Sequence, residues 1–224
     1  MTAWRDRLVL FAKEPVAGRA KTRLAAALGR GPAAILYAAF LEDLSAALGG
    51  PWEAVVAHDG ADRRLREIFR EPWSFRAQGG GDLGARLARA TRDAFEAGRE
   101  RVVLAGSDAP TLAAREVAAA FAALGRADVA LAPAPDGGFT LAALGRRVDP
   151  TALFGGVRWS TDRALADVEQ AAARAGLRVE FLGPVPDVDV VADLIRLLDT
   201  LEGDPSLAPA TRRALATHRE VPVG

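Results

Sequence analysis

Residues 8–28 read LVLFAKEPVAGRAKTRLAAAL. Leu8–Ala12 is an unbroken apolar run between charged neighbours, too short for a helix and without polar alternation. Such a run fits a strand buried on both faces, the habit of parallel strands in α/β proteins. Lys13–Lys21 holds Pro15 and Gly18 and reads as a loop. Thr22–Leu28 then reads as a helix that stops at Gly29. Pro32 opens another through Leu48, with Ile35, Leu36, Phe40, Leu41, Leu44 and Leu48 at helical spacing.

The same grammar continues outward. Strands are expected at Val55–Ala57, Phe75–Gln78, Arg101–Ala105, Val129–Ala132, Gly138–Leu144 and Leu177–Leu182. Helices are expected at Leu83–Ala97, Ala113–Leu124, Thr161–Ala175, Val191–Leu201 and Pro209–Thr217. Alternation of this kind predicts a three-layer α/β fold with a mostly parallel sheet. No repeat, linker or low-complexity segment interrupts it, so residues 1–224 are expected to form one domain. In such sheets ligands sit beyond the carboxyl ends of the strands. The segments to read are therefore 13–23, 78–86, 106–110, 136–138 and 187–189.

Composition removes several classes of function. The 29 Lys+Arg balance the 29 Asp+Glu, so the chain lacks the basic excess of a nucleic-acid or anionic-membrane binder. It has no cysteine, which excludes disulfides, thiolate metal sites and a cysteine nucleophile. Its two histidines, His58 and His218, leave little material for histidine metal sites or a Ser-His triad. No apolar run approaches a membrane span, and the short apolar stretch after Arg7 is no signal peptide, so the expected location is the cytoplasm. Only Lys13 and Lys21 among the 29 basic residues are lysine, and both fall in the first loop.

Several segments carry candidate chemistry. The first loop gathers Lys13, Arg19, Lys21 and Arg23 around Gly18 just before a helix, a setting that attracts phosphate. It is not a Walker A loop, since Ala20 precedes Lys21, and it would also suit a solvated basic loop. Gln78–Arg86 (QGGGDLGAR) matches a dinucleotide fingerprint only formally, because it follows the third strand and places Asp82 where a pyrophosphate would lie. Asp108, in GSDAP (106–110), ends a strand and suits Mg²⁺ beside a phosphate, or equally a helix cap. PDGG (135–138) is a turn, and Trp159–Asp162 (WSTD) a plausible helix start. In PDVDVVADL (186–194), Asp187 and Asp189 share one side of an extended stretch, suiting a second metal ligand or a cap before Val191.

Taken in order, FAKEPVAGRAKTRL, QGGGDLG, GSDAPTL, PDGGF, Trp159-Ser160-Thr161 and PDVDVVADL resemble a bacterial family of transferases with the nucleotide-diphospho-sugar transferase (GT-A) fold. That family is described as radical-SAM/selenodomain-associated or as arsenosugar-biosynthesis glycosyltransferases. The chain is also similar to the phospholactate guanylyltransferases, through their Lys-Thr/Ser-Arg-Leu first loop. The resemblance spans residues 11–194. It implies that Lys13, Lys21 and Arg23, with Gly18, Gln78, Gly79, Asp82 and Gly106, hold the nucleotide. Asp108 and Asp189 would bind Mg²⁺ or Mn²⁺, and Lys21, Arg23 and Asp108 would carry catalysis. Asp136, Gly137, Gly138 and Trp159 would line the acceptor side. The chain departs from the pattern at Thr140, where an aromatic is usual, and in DVDVVADL, which lacks the usual Thr beside Asp189. The expected activity is metal-dependent nucleotidyl transfer from a nucleoside triphosphate to a small-molecule acceptor. Glycosyl transfer from a nucleotide sugar is the alternative, and a non-catalytic nucleotide-binding protein the second.

Overall fold

The computed structural model of the chain describes residues 4–217. Its centre is the apolar run read first, as β1 (Asp6–Ala12). β1 pairs in parallel with β2 (Glu53–His58) on one side and β4 (Arg101–Gly106) on the other. With β3 (Ser74–Ala77), β5 (Val129–Pro133), β6 (Phe139–Gly145) and β7 (Val179–Phe181), the strands form one seven-stranded sheet in the order β3-β2-β1-β4-β6-β5-β7. The expected mixed α/β, mostly parallel architecture is present. Only β6 runs antiparallel to its neighbours. The short link from Pro133 to Phe139 explains this, because a parallel crossover needs a dozen or more residues.

Side chains alternate across the sheet and seed a core on each face. Leu8, Leu10 and Ala12 face a cluster containing Leu24 of α1 (Thr22–Leu28), Phe40 and Leu44 of α2 (Arg30–Ala47), and Leu65 of α3 (Arg63–Ile68). The same cluster takes Val117 of α5 (Ala114–Ala123) and Leu197 of α8 (Val191–Gly203). Val9 and Leu104 face the opposite cluster. There they meet Leu87 of α4 (Leu83–Glu96), Phe154 of α6 (Pro150–Phe154) and Val168 of α7 (Ala164–Arg174). Each large apolar side chain so buried stabilises the fold by about 1.5–3 kcal/mol. α9 (Pro209–Thr217) docks through a polar contact. The buried Asp43 carboxylate of α2 accepts hydrogen bonds from the backbone N–H of Ala210 and Thr211 and from the Thr211 hydroxyl. Among the described residues no helix is long and apolar enough to cross a membrane. His218 lies outside the described residues.

One local difference follows from turn chemistry. The expected helix at Thr161 starts at Ala164, because Ser160 is left-handed (φ 61°) and the Thr161 hydroxyl accepts from Arg163 N–H. The PDGG turn is held by Gly137, at φ +83°. A Cβ there would lie 2.2 Å from the Asp162 carbonyl oxygen, so only glycine allows this approach of the β5–β6 turn to the segment before α7.

Candidate functional site

The carboxyl ends of β1 and β4, the β5–β6 turn and the segment before α8 enclose a cleft of about 760 Å³. It is lined by Lys13, Lys21, Arg23, Gln78, Asp82, Gly106, Asp108, Asp136, Gly138, Trp159 and Asp189 among the residues singled out from sequence. Gly18, Gly79 and Gly137 do not line it; each has positive φ and shapes a turn behind the wall.

The first loop returns to the sheet at Lys21, a left-handed residue (φ 49°) that begins α1. Its ammonium is buried, 2.5 Å from Asp108 Oδ1 and 2.9 Å from Asp189 Oδ1. It also donates to the Val188 carbonyl at 2.6 Å. The sequence suggests that this ammonium meets phosphate; in the structure it meets two carboxylates. The Asp108 and Asp189 segments are also tied together, Val188 N–H donating to Asp108 O at 2.9 Å. Neither carboxylate is committed to capping its own helix. The Asp189 and Val190 N–H groups are taken instead by Asp193, at 2.8 and 2.9 Å. Arg23, largely exposed, reaches the other Asp189 oxygen at 3.9 Å.

Asp187 sits half-buried beside this pair. Burial first, then the Asp136, Asp189 and Asp108 carboxylates, push its carboxyl up to about 6. Asp136 folds back onto Gly138 N–H at 2.9 Å. Asp82 caps α4 by accepting from Ala85 N–H at 2.8 Å. Gln78 is buried, donating to Ala57 O and accepting from Arg86. Trp159 packs edge-on to Phe139, centroids 6.0 Å apart, and its indole N–H has no partner.

Sequence reading passed over two participants, Tyr37 and Arg86. Tyr37, two turns into α2 on its buried face, has its hydroxyl accepting from Lys13 N–H and sharing a 2.7 Å hydrogen bond with Ser107. Burial, reinforced by Asp108, keeps this phenol neutral, well above its ordinary value. The sequence did not single it out among the residues of that helix. Arg86 and Arg19 also line the cleft. Arg86 donates to Gly81 O and Gln78 Oε1, with no carboxylate partner among the described residues. Its position at the end of QGGGDLGAR, facing back over the glycines, was the available signal.

This strand order, with a cleft beyond the carboxyl ends of the central strands, defines the nucleotide-diphospho-sugar transferase class of α/β fold. A Desulfovibrio desulfuricans G20 protein, assigned provisionally as a nucleotide-diphospho-sugar transferase, is 30% identical over 100% of both chains, with a TM-score of 0.88. The chain belongs to the family described as "Uncharacterized protein conserved in bacteria (DUF2064)", matched over residues 41–161. More distant structures share the fold alone. CMP:2-keto-3-deoxy-manno-octonic acid synthetase, solved with CTP, is 14% identical over 89% of this chain and 99% of its own, with a TM-score of 0.54. The 4-diphosphocytidyl-2C-methyl-D-erythritol synthase of Anaerococcus prevotii DSM 20548 is 11% identical over 90% and 100%, also at 0.54. No curated protein matches the chain.

Proposed function

We propose that this chain is a metal-dependent transferase that uses a nucleotide donor, and that its reaction is nucleotidyl transfer to a small acceptor. The observation that carries the reading is the convergence of Asp108 and Asp189, from distant parts of the chain, on one cation at the end of a cleft whose first loop is basic. Two hard carboxylate oxygens already gathered round a positive charge fit Mg²⁺ or Mn²⁺, which takes one or two carboxylates and completes its shell with water and phosphate. Among the described residues no group of three or more potential ligand side chains occurs, so the protein's own ligands would be these two carboxylates. When bound, the metal supplies positive charge beside the phosphate oxygens.

The chain's own residues supply position and further charge. Lys13, Arg19, Arg23 and Arg86 line the donor side. Gln78 and Gly106 set its floor, and Asp136, Gly138 and Trp159 face it from the acceptor side. An acceptor oxygen forms a bond to the α-phosphorus, the α–β phosphoanhydride bond breaks, and pyrophosphate leaves with its charge opposed by the basic loop. Such chemistry needs no covalent intermediate, which suits a cleft without cysteine.

The 30%-identical Desulfovibrio protein favours a second reading, glycosyl transfer from a nucleotide sugar. Profiling nucleoside triphosphates and nucleotide sugars with and without Mg²⁺ separates the two. Pyrophosphate release supports nucleotidyl transfer, and nucleoside diphosphate release from a sugar nucleotide supports glycosyl transfer. Thermal stabilisation by nucleotides without turnover would leave a non-catalytic nucleotide-binding protein. The absence of both turnover and stabilisation would overturn the reading.

A further inference from the structure

We propose that Lys21 is a resident counter-cation of the Asp108–Asp189 pair, and that a divalent metal ion binds there by displacing its ammonium into the cleft. The inference rests on the metal assignment made above and adds how that site is gated. An ammonium has three N–H donors. Lys21 directs its contacts to Asp108 Oδ1, Asp189 Oδ1 and Val188 O, at 2.5, 2.9 and 2.6 Å. While docked it is held by hydrogen bonds to Asp189 and Val188 O and by the ion pair with Asp108. Its side chain is only 3% exposed, so this is a built arrangement and not a surface pairing.

A metal bound by the same two oxygens would sit within a few ångströms of the ammonium, where two positive charges repel strongly. The two cations therefore compete. Asp136 and Asp187 line the same cleft, so a monovalent ammonium leaves carboxylate charge there unmatched, and a divalent ion is the better counter-charge. A second feature points to a ligand. Thr140, on β6 beside Gly106, lines the cleft, is 7% exposed, and has a hydroxyl without a partner. Lys21 is also placed to leave. It begins α1 from a left-handed backbone, at the end of the Gly18 loop, with its ammonium 5.9 and 5.7 Å from the Tyr37 and Phe40 ring centres. Displacement would swing the ammonium toward Lys13 and Arg23, which line the same cleft. Metal loading and the gain of a phosphate-binding lysine would then be one event.

The scarcity of lysine makes this testable on the unaltered protein. Lys13 and Lys21 are the only lysines, so a brief pulse of N-hydroxysuccinimide acetate, read by peptide mass spectrometry, reports each separately. Without metal, Lys13 should label and Lys21 should be protected. At Mn²⁺ concentrations that saturate the site by electron paramagnetic resonance, Lys21 labelling should rise at least about fivefold relative to Lys13 as the docked fraction falls. Lys21→Met provides the second measurement. It should bind Mn²⁺ at least about tenfold more tightly, because a competing internal cation lowers apparent affinity by the fraction of sites it occupies. Saturating Mn²⁺ with Lys21 still protected, or Lys21→Met binding no tighter than the wild type, would overturn the displacement while sparing the metal site. Absence of Mn²⁺ binding by both proteins would overturn the metal site itself, and the displacement with it.

Discussion

Asp187 should give the cleft a measurable pH signature. Burial, with the Asp136, Asp189 and Asp108 carboxylates, raises its carboxyl from 3.8 to about 6. In the unfolded chain it returns to about 3.9. Between these values the folded state holds a proton that the unfolded state has lost. The group's stabilising contribution is therefore complete below about pH 4 and is lost as pH rises through about 6. Taken whole, a shift of that size corresponds to about 3 kcal/mol. The side chain is only half-buried, and solvent screening reduces this to about 1 kcal/mol. Asp187→Asn keeps the shape and removes the charge. In buffer with a metal chelator, urea unfolding should find wild type and variant alike near pH 4 and the variant more stable by about 1 kcal/mol at pH 7. For a chain of this length the gain is about 2–4 °C in melting temperature. Wild-type and variant curves that stay parallel from pH 4 to 7, or a variant less stable at pH 7, would refute the like-charge reading. The variant should lose activity as it gains stability, since crowding of like charge is the cost of a cation site.

Four other perturbations separate structure from function. Asp43→Ala strands the Ala210 and Thr211 N–H groups in a buried setting and should cost about 2–4 kcal/mol in urea unfolding. Gly137→Ala drives a methyl into the Asp162 carbonyl at positive φ and should cost about 2–4 kcal/mol. Gly156→Ala, at φ +73° with nothing within 4 Å, isolates the backbone strain alone and should cost about 1 kcal/mol. Arg86→Gln should weaken nucleotide binding by about tenfold or more in calorimetry, the loss of one charge-assisted contact, with little change in melting temperature.

The architecture was legible where burial leaves a one-dimensional trace. LVLFA is a central strand because both its faces are covered, and a doubly covered strand has no polar alternation to confuse it. The turn signals at Gly18 and PDGG were equally direct, whereas the helix expected to open at Pro32 starts at Arg30, with Pro32 in its first turn. α3 and α6 were missed because they are short and bury few residues, giving too little periodicity to see. The antiparallel β6 could have been deduced from the length of the PDGG link alone. The site was legible as a set of segments, because strand ends in an α/β sheet collect ligand residues by topology. Which partner each charge takes was not. That depends on the three-dimensional meeting of the first loop with the segment before α8, far apart in sequence, and nothing local to Lys21 announces Asp189. Tyr37 was hidden differently, since its ring belongs to the α2 core and only its hydroxyl reaches the site.

The charge pattern that results is mixed. Asp108, Asp136, Asp187 and Asp189 line the cleft, and the docked Lys21 answers only two of them. The other cations of the cleft remain largely available. Arg23 lies 3.9 Å from Asp189 and is mostly exposed, and Arg19 pairs with Asp59 only at 3.6 Å. Contacts that long and wet are worth about 0–1 kcal/mol each, so an incoming polyphosphate displaces them easily. Lys13 and Arg86 also line the cleft, as does Asp82, one helical turn before Arg86. In the proposed reaction the outer phosphates of the donor draw these weakly held cations off their present contacts, while the reacting phosphorus lies by Asp108 and Asp189. The charge of a polyphosphate is thus met by a few loosely paired side chains within a chain whose total is zero, a property invisible to any count of its residues.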